Sequence, residues 1–413
     1  MAGLIDFETG EEYLKILLLG VGMQGKAALH DLMENNEVTE IIAADRDFHA
    51  LKTYTESRQY QYASKLRCQH FDAASPQTIE TLLKKRPDVI IDLLPVSLHD
   101  AVSFAAIDHG IHLVNASYLT PAMIKFAKRA PVLNSTILPE CGMDPGLDLV
   151  LLGQAVKECD TVEKITTYGA GFPEPEAAGN LLKYKVTWNL EGVLKSYVRP
   201  ASLIKNNTHI DIPGNKLFQS KQVHTINIDG LGTLEAFPNG NALDIIDMLP
   251  VTTINLHSLA RYVLRWPGHC SFWKKLIDLG FLDDEEIMVD GRAVDRKRYL
   301  ASLLGPQLQY GPDERDAVVV RVEVTGIKEG KRQQSVFQII DRRDLETGLT
   351  AMSRTVGYTA AISARLVGTG AVSKRGVLSP IRDIPYNVFK QELARKGIQI
   401  TSQVRPLENR ETQ

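Results

Sequence analysis

Two kinds of residue pattern in this chain could do chemistry. The first is GVGMQG, which puts Gly20, Gly22 and Gly25 in GxGxxG spacing directly after the apolar run KILLLG. The first glycine permits a tight turn, the second lets a pyrophosphate approach the backbone, and the third lets helix and strand pack closely. The amides of Met23, Gln24 and Gly25 then open a helix whose positive end faces phosphate. About twenty residues on, Asp45 ends the next apolar run, where a carboxylate can accept hydrogen bonds from a ribose diol. A carboxylate there repels a 2′-phosphate, so NAD is the expected cofactor. The adjacent Arg46 can pair with that phosphate and keeps NADP as the alternative.

The second pattern is a set of polar residues at the ends of later apolar runs. DLLPVSLHD presents Leu94, Pro95 and His99; NASYLTPAM presents Ala116, Ser117 and Tyr118; ECGMDPGLD presents Asp144. Ligands of open α/β sheets bind outside the carboxyl ends of the strands, which places these residues around the reacting part of a bound molecule. Each has a plainer reading. His99 can start a helix or sit in the core, and Ser117 can cap a helix near Thr120 and Pro121. Asp144 can cap a helix with Pro145 in its first turn and Asp148 near the dipole.

The elements that must position these residues follow from periodicity. From about residue 15 to 160, short β-rich runs alternate with helical segments such as KAALHDLMEN and HDAVSFAAIDHG. That alternation requires a parallel sheet with helices on both faces. Beyond about residue 162 strands dominate, and AVVVRVEVTGIKEGKRQQSVFQIIDR reads as a hairpin, in an α+β domain with a largely antiparallel sheet. A long helix rich in small residues, TAMSRTVGYTAAISARLVGTG, suits close packing against the first domain. The fold class is therefore α/β: a Rossmann dinucleotide-binding domain over 1–142, completed by 350–390, then an α+β domain over 143–349 and a tail over 391–413.

Composition bounds the partners. With 44% hydrophobic and 23% charged residues the chain is globular, and a net charge of -3 gives no footprint for nucleic acid or an anionic membrane. The N-terminal MAGLIDFETGEEYLK does not read as a signal peptide, and no apolar run is long enough to span a bilayer. Cys68, Cys141, Cys159 and Cys270 lack CxxC spacing, so neither a disulfide framework nor a metal site is expected. A cytoplasmic enzyme with a small-molecule partner fits this balance.

Taken together, GVGMQG, LLPVSLH, NASYLTPAM, CGMDPGLD, GAGFPEPEAAGNLLKYKVTWNLEGVL, LARYVLRWPGH, YGPDERDAVVVRVEV and TAMSRTVGYTAAISARLVGTGAVSKRGVLSP resemble the saccharopine dehydrogenase family across nearly the whole chain. The resemblance implies a second domain for substrate binding and dimerisation, a homodimer, and an active site in the cleft between the domains. It places Ser117, Tyr118 and Asp144 on substrate-contacting positions, with Asp144 and Tyr118 catalytic, and Arg265 of LRWPGH on a substrate carboxylate. Lys185 of LLKYKVTW joins the substrate-binding set, and Leu94, Pro95 and Ala116 join the cofactor set. The implied reaction oxidises the CH–NH group of a lysine-derived amino acid, giving an imine that water cleaves, or runs the reverse reductive condensation.

Two branches compete. LLPVSLH, NASYLTP, LLKYKVTW and YGPDERD are closer to the glutamate-forming saccharopine dehydrogenases; NLEGVL, LGTLEAF and AVSKRGVLSP are closer to lysine 6-dehydrogenase, which oxidises the lysine ε-amine. An opine- or polyamine-type condensation and a non-catalytic nucleotide-binding regulator are the remaining alternatives. The glutamate-forming pattern has an arginine after YPN to bind glutamate; here FPNGNALD has Gly240. Lys183, Lys185, Arg199 and Arg261 are the residues that could compensate. A family cysteine is also replaced, by Gly169, which excludes thiol chemistry there.

Overall fold

A computed structural model describes residues 13–58, 60–73, 75–250 and 254–408. The reading of the N-terminal segment therefore rests mostly on residues outside the described ones, as does the end of the expected tail. The chain divides into two compact units, one reaching Val150 and including Ser353–Ile398, the other spanning Leu151–Met352 and the chain from Gln399 on.

The first unit is built on parallel strands β1 (Leu14–Leu19), β2 (Val38–Asp45), β3 (Leu66–His70), β4 (Val89–Asp92), β5 (His112–Asn115) and β6 (Thr136–Leu138). Their spatial order, β6-β5-β4-β1-β2-β3, is that of a dinucleotide-binding sheet. Every pair is parallel. Such strands are covered on both faces, which is why β1 reads as an unbroken apolar run with Ile16 to Leu19 buried. Each of these large side chains contributes roughly 1.5–3 kcal/mol by leaving water.

Helix Met23–Glu34 packs against helix Ala351–Gly368 through small residues. A Cβ on Gly357 would stand 2.4 Å from the Gln24 carbonyl oxygen, so glycine lets the helices touch backbone to backbone. The same contact buries an ionic network. Arg365 bonds Asp31 at 3.1 Å and Glu392 at 2.5 Å and also reaches Glu37, while Lys396 lies 3.0 Å from Asp31.

The second unit carries a nine-stranded sheet. Its strands are β7 (Thr161–Pro173), β8 (Ala201–Lys205), β9 (Thr208–Ile212), β10 (His224–Ile228), β11 (Gly232–Pro238) and β12 (Ile254–Arg265). A separate small hairpin, β13 (Ile287–Val289) and β14 (Arg292–Val294), follows. The sheet resumes with β15 (Asp316–Lys328) and β16 (Lys331–Arg342), the expected hairpin, whose turn residues Glu329 and Gly330 both have positive φ as a type I′ turn requires. β17 (Gly376–Val377) joins β6 in the first sheet, and β18 (Ile400–Pro406) pairs with β16. All pairs of the second sheet are antiparallel except β12 with β7. Asp316 caps helix Ala351–Gly368 by accepting from the amides of Ala351 and Met352 at 2.7 and 3.0 Å. Burial, ahead of those bonds, pushes its carboxyl up to about 6.

The expected tail differs from what is observed. Residues 391–395 finish helix Tyr386–Arg395, whose Phe389 and Leu393 are buried, and β18 completes a sheet edge. The boundary also falls later than residue 142, inside helix Leu147–Lys157.

Candidate active site

The glycine loop is shaped for a phosphate. Gly20 has φ +84°, and a Cβ there would meet the Leu93 carbonyl oxygen at 2.8 Å; one on Gly25 would meet the Gly20 oxygen at 2.0 Å. These two close approaches fold the loop tightly and lay it beside Leu93 and Leu94. At Gly22 a Cβ would meet nothing within 4 Å, so the face of the loop is open. Gly22 is also the N-cap of helix Met23–Glu34 and supplies no side-chain cap. The first-turn amides of Met23, Gln24 and Gly25 therefore lack intrahelical acceptors. Gln24 adds a buried side-chain oxygen with no hydrogen-bond partner. An open, donor-rich helix start fits a dinucleotide pyrophosphate.

Asp45 is more occupied than its sequence position suggests. One carboxylate oxygen accepts from the Val21 amide at 2.7 Å and the other from the Asp47 amide at 2.9 Å. It holds the loop in place, and Arg46 beside it is exposed.

At the next strand ends the structure joins residues that sequence spacing left separate. Asp92, the last residue of β4, is 0% exposed, and His99, at the start of helix His99–Asp108, is 1% exposed. His99 Nδ1 lies 2.7 Å from Asp92 Oδ2, and His99 Nε2 lies 2.9 Å from Ser117 Oγ. A carboxylate only accepts, so Nδ1 carries the proton, and in the neutral ring Nε2 then accepts from the serine hydroxyl. The other Asp92 oxygen takes the Leu94 amide at 3.1 Å. Asn115 Oδ1 accepts from the Ser117 amide at 3.0 Å, and the buried Asn115 Nδ2 has no partner. Ser117 is therefore not a helix cap; Thr120 is, accepting from the Met123 amide at 3.2 Å.

The Asp144 turn lies against the same loop. The amides of Glu140 and Cys141 donate to the carbonyls of Ser117 and Asn115, and a Cβ on Gly142 would stand 3.1 Å from the Ala116 oxygen. Asp144 does not start the helix. Helix Leu147–Lys157 begins three residues later, the Gly142 and Met143 carbonyls accept its first amides, and Asp148 takes the Gly146 amide at 2.7 Å. Tyr118 is 37% exposed rather than packed inward. Cys141 is buried, which pushes its thiol up to about 12, and it acts as packing.

In the second unit Arg265 is 5% exposed, not a strand-surface charge. Its guanidinium lies 5.1 Å from the Tyr184 ring and 5.9 Å from the Tyr197 ring, and its Nε donates to the Tyr197 hydroxyl at 3.4 Å. Tyr197 in turn bonds His269 Nε2 at 2.8 Å, and His269 Nδ1 donates to the Leu182 carbonyl at 3.1 Å. Burial, then the Arg265 charge, push His269 down to about 3. Among the described residues no carboxylate pairs with Arg265. Its cross-strand neighbour Glu235 instead accepts the Gly268 and Cys270 amides, both at 2.9 Å, capping helix His269–Asp278. The phenol oxygen of Tyr310 is also buried without a hydrogen-bond partner.

Lys185 was expected to bind substrate. Its ammonium is instead held by Glu314 at 2.5 Å and by the Gln309 carbonyl at 3.1 Å. The Gly311 amide, then Lys185, hold the Glu314 carboxyl below its usual range. Near Gly240, Arg199 donates to Asn239 at 2.5 Å, and its guanidinium lies 3.5 Å from where a Gly240 Cβ would be.

Two family models match this chain. The saccharopine dehydrogenase NADP binding domain covers residues 16–138, and the saccharopine dehydrogenase C-terminal domain covers 142–398. The chain belongs to the saccharopine dehydrogenase family. Among its relatives, it is 25% identical over 465 residues to the mitochondrial alpha-aminoadipic semialdehyde synthase of Rattus norvegicus, covering 97% of this chain and 49% of that protein. It thus spans about half the length of the first curated relatives it matches. It is 24% identical to the NADP(+), L-glutamate-forming saccharopine dehydrogenase of Pyricularia oryzae, over 94% of this chain and 98% of that one. The fold matches the apo L-Glu-forming saccharopine dehydrogenase of Saccharomyces cerevisiae with a TM-score of 0.82 at 21% identity, over 95% of this chain and 99% of that chain.

Among the described residues no helix is long and apolar enough to cross a membrane, and no cluster of His, Cys, Asp or Glu could hold a metal. Sequence reasoning missed Asp92, Tyr197, His269 and Glu314. Only Asp92 left a signal, as an acid closing the buried run VIID.

Proposed function

We propose that the chain is an NADP-dependent oxidoreductase acting on the CH–NH group of saccharopine or a close lysine-derived amino acid. The observation that carries this reading is one edge of the first sheet, where the open glycine loop adjoins Leu93 and the Ser117 loop adjoins the Asp144 turn. When bound, NADP supplies the hydride acceptor for a carbon bearing nitrogen. The amides of Met23, Gln24 and Gly25 hold its pyrophosphate, with Leu94, Pro95 and Ala116 lining the nicotinamide side. Arg46 meets the 2′-phosphate. Because both Asp45 oxygens already accept backbone amides, their repulsion of that phosphate is a weaker argument for NAD than the sequence suggested.

Asp144 orients the substrate ammonium and the hydrolytic water, and Tyr118 shares proton transfer during imine hydrolysis. Arg265 takes a substrate carboxylate. A buried guanidinium without an acid supports that role, because an unpaired buried charge is costly. Lys185 positions the Glu314 loop rather than carrying substrate charge. Gly240 alone favours lysine as the substrate, but the Arg199 guanidinium over that glycine supports a second carboxylate and hence saccharopine. The exposed edge strand β18 supports pairing with a second copy.

The test is nicotinamide absorbance with saccharopine, with lysine, and with glutamate plus aminoadipate semialdehyde, each with NADP and NAD. Turnover of saccharopine with NADP is expected. Turnover of lysine but not saccharopine overturns the substrate, and no turnover in any combination favours the regulator.

A further inference from the structure

Asp92, His99 and Ser117 form a continuous hydrogen-bonded chain from the interior of the first sheet to its ligand edge. The inner two members are sealed from water at 0% and 1% exposure, and Ser117 is half-buried. The distances, 2.7 Å and 2.9 Å, are those of well-made bonds. Orientation is fixed at each joint: Asp92 takes the Leu94 amide on its second oxygen, and Asn115 takes the Ser117 amide. Helix His99–Asp108 needs none of this for its own hydrogen bonds, and burying a carboxylate against an imidazole is a poor way to gain stability.

The direction of the bonds has a consequence. Ser117 spends its one proton inward on His99 Nε2, so the lone pairs left on Oγ can only accept. A hydroxyl held this way at the mouth of the site accepts a proton from a donor outside the chain and passes its own to the imidazole. The carboxylate at 2.7 Å is placed to hold the positive charge that arrives on the ring.

We propose that Asp92–His99–Ser117 is a proton relay that deprotonates the substrate nitrogen before oxidation. The assignment rests on the CH–NH oxidoreductase reading above. In the step, one N–H bond of the substrate ammonium breaks and its proton goes to Ser117 Oγ. The serine O–H proton passes to His99 Nε2. The amine lone pair is freed, the ring becomes an imidazolium paired with Asp92, and no electrons are transferred. The proton returns by the same path when the imine is hydrolysed and the amine leaves. Ser117 touches substrate, whereas His99 and Asp92 act through it.

The test uses the full chain. The ¹⁵N resonances of His99 in the resting protein should show Nδ1 protonated and Nε2 bare. Asp92→Asn, which can donate to Nδ1, should invert that tautomer. Asp92→Asn and Ser117→Ala should each lower kcat with saccharopine and NADP by about 10²–10⁴-fold, the range of general-base loss. KM and the NADP dissociation constant should stay within about threefold, a split that a merely structural role does not produce. Ser117→Thr, which keeps a hydroxyl, should recover most of the rate. Wild-type turnover with kcat unchanged in both Asp92→Asn and Ser117→Ala overturns the relay alone, as does a His99 ring protonated at Nε2. A wild-type protein that oxidises no CH–NH donor overturns the oxidoreductase reading and the relay with it.

Discussion

Asp92 in the first unit and Arg265 in the second are both charged groups shut away from water, at 0% and 5% exposure. The chain treats them in opposite ways. Asp92 receives His99 and the Leu94 amide, so its partners are all internal. Arg265 receives two aromatic faces, a phenol oxygen and the Leu264 carbonyl at 2.8 Å but no carboxylate, while its cross-strand acid, Glu235, is committed to the start of a helix. A buried charge with internal partners is preorganised. One without an acid leaves that position for a ligand. On the proposed roles, the first unit carries its own proton chemistry and the second is completed by what it binds.

The sharpest way to break this contrast is to remove cations whose partners differ. Arg365→Met strips Asp31, Glu37 and Glu392 of their guanidinium and should destabilise the protein by about 3–5 kcal/mol in urea melts. Arg265→Met strands no carboxylate and should change stability by less than about 1 kcal/mol. Equal losses would erase the distinction between the two sites.

Gly25→Ala and Gly22→Ala come next. The first drives a Cβ to 2.0 Å from the Gly20 oxygen and should cost about 1–3 kcal/mol. The second enters open space at φ −70° and should leave melting within about 0.5 kcal/mol, while weakening NADP by roughly tenfold or more. Unchanged NADP affinity in Gly22→Ala would remove the phosphate from that face.

The pH dependence gives a smaller effect. His269 sits at about 3 in the folded state against 6.5 unfolded, so the unfolded chain binds a proton that the folded one refuses. Its contribution falls with acidification below about 6.5, at about 1.4 kcal/mol per pH unit. Asp316 sits at about 6 against 3.8, so its contribution falls as pH rises between those values. Between about pH 4 and 6 the two slopes oppose each other. Asp316→Asn keeps a capping side chain and leaves His269 unopposed, so its melts should lose about 1.4 kcal/mol per unit more than wild type over that window. Parallel profiles would show that Asp316 does not carry the raised titration that its burial implies.

How much of this could be read from sequence depended on the range of the interaction. The parallel sheet, the glycine loop and the β15–β16 hairpin follow from local periodicity and turn residues, and all three were legible. The plainer reading of Asp144 as the start of a helix placed that start three residues early, and the DPG turn gave no sign that the Gly142 and Met143 carbonyls accept the first helix amides. Asp92 looked like a strand end, and nothing in DLLPVSLHD says that the imidazole folds back onto the carboxylate. Lys185 and Glu314 are 129 residues apart, and Arg265 and Tyr197 are 68 apart. Pairings of that kind are set by the tertiary fold of the second unit, so a sequence can name the residues without saying which are already spoken for.

The division of labour is tested most directly by titrating wild type and Arg265→Met with two ligands, NADP and saccharopine, by calorimetry. The account predicts an NADP dissociation constant within about threefold of wild type, and saccharopine weakened by about 2–5 kcal/mol, roughly 30- to 5,000-fold. Saccharopine bound equally well by both proteins would contradict it, since the buried guanidinium would then have no ligand to complete it.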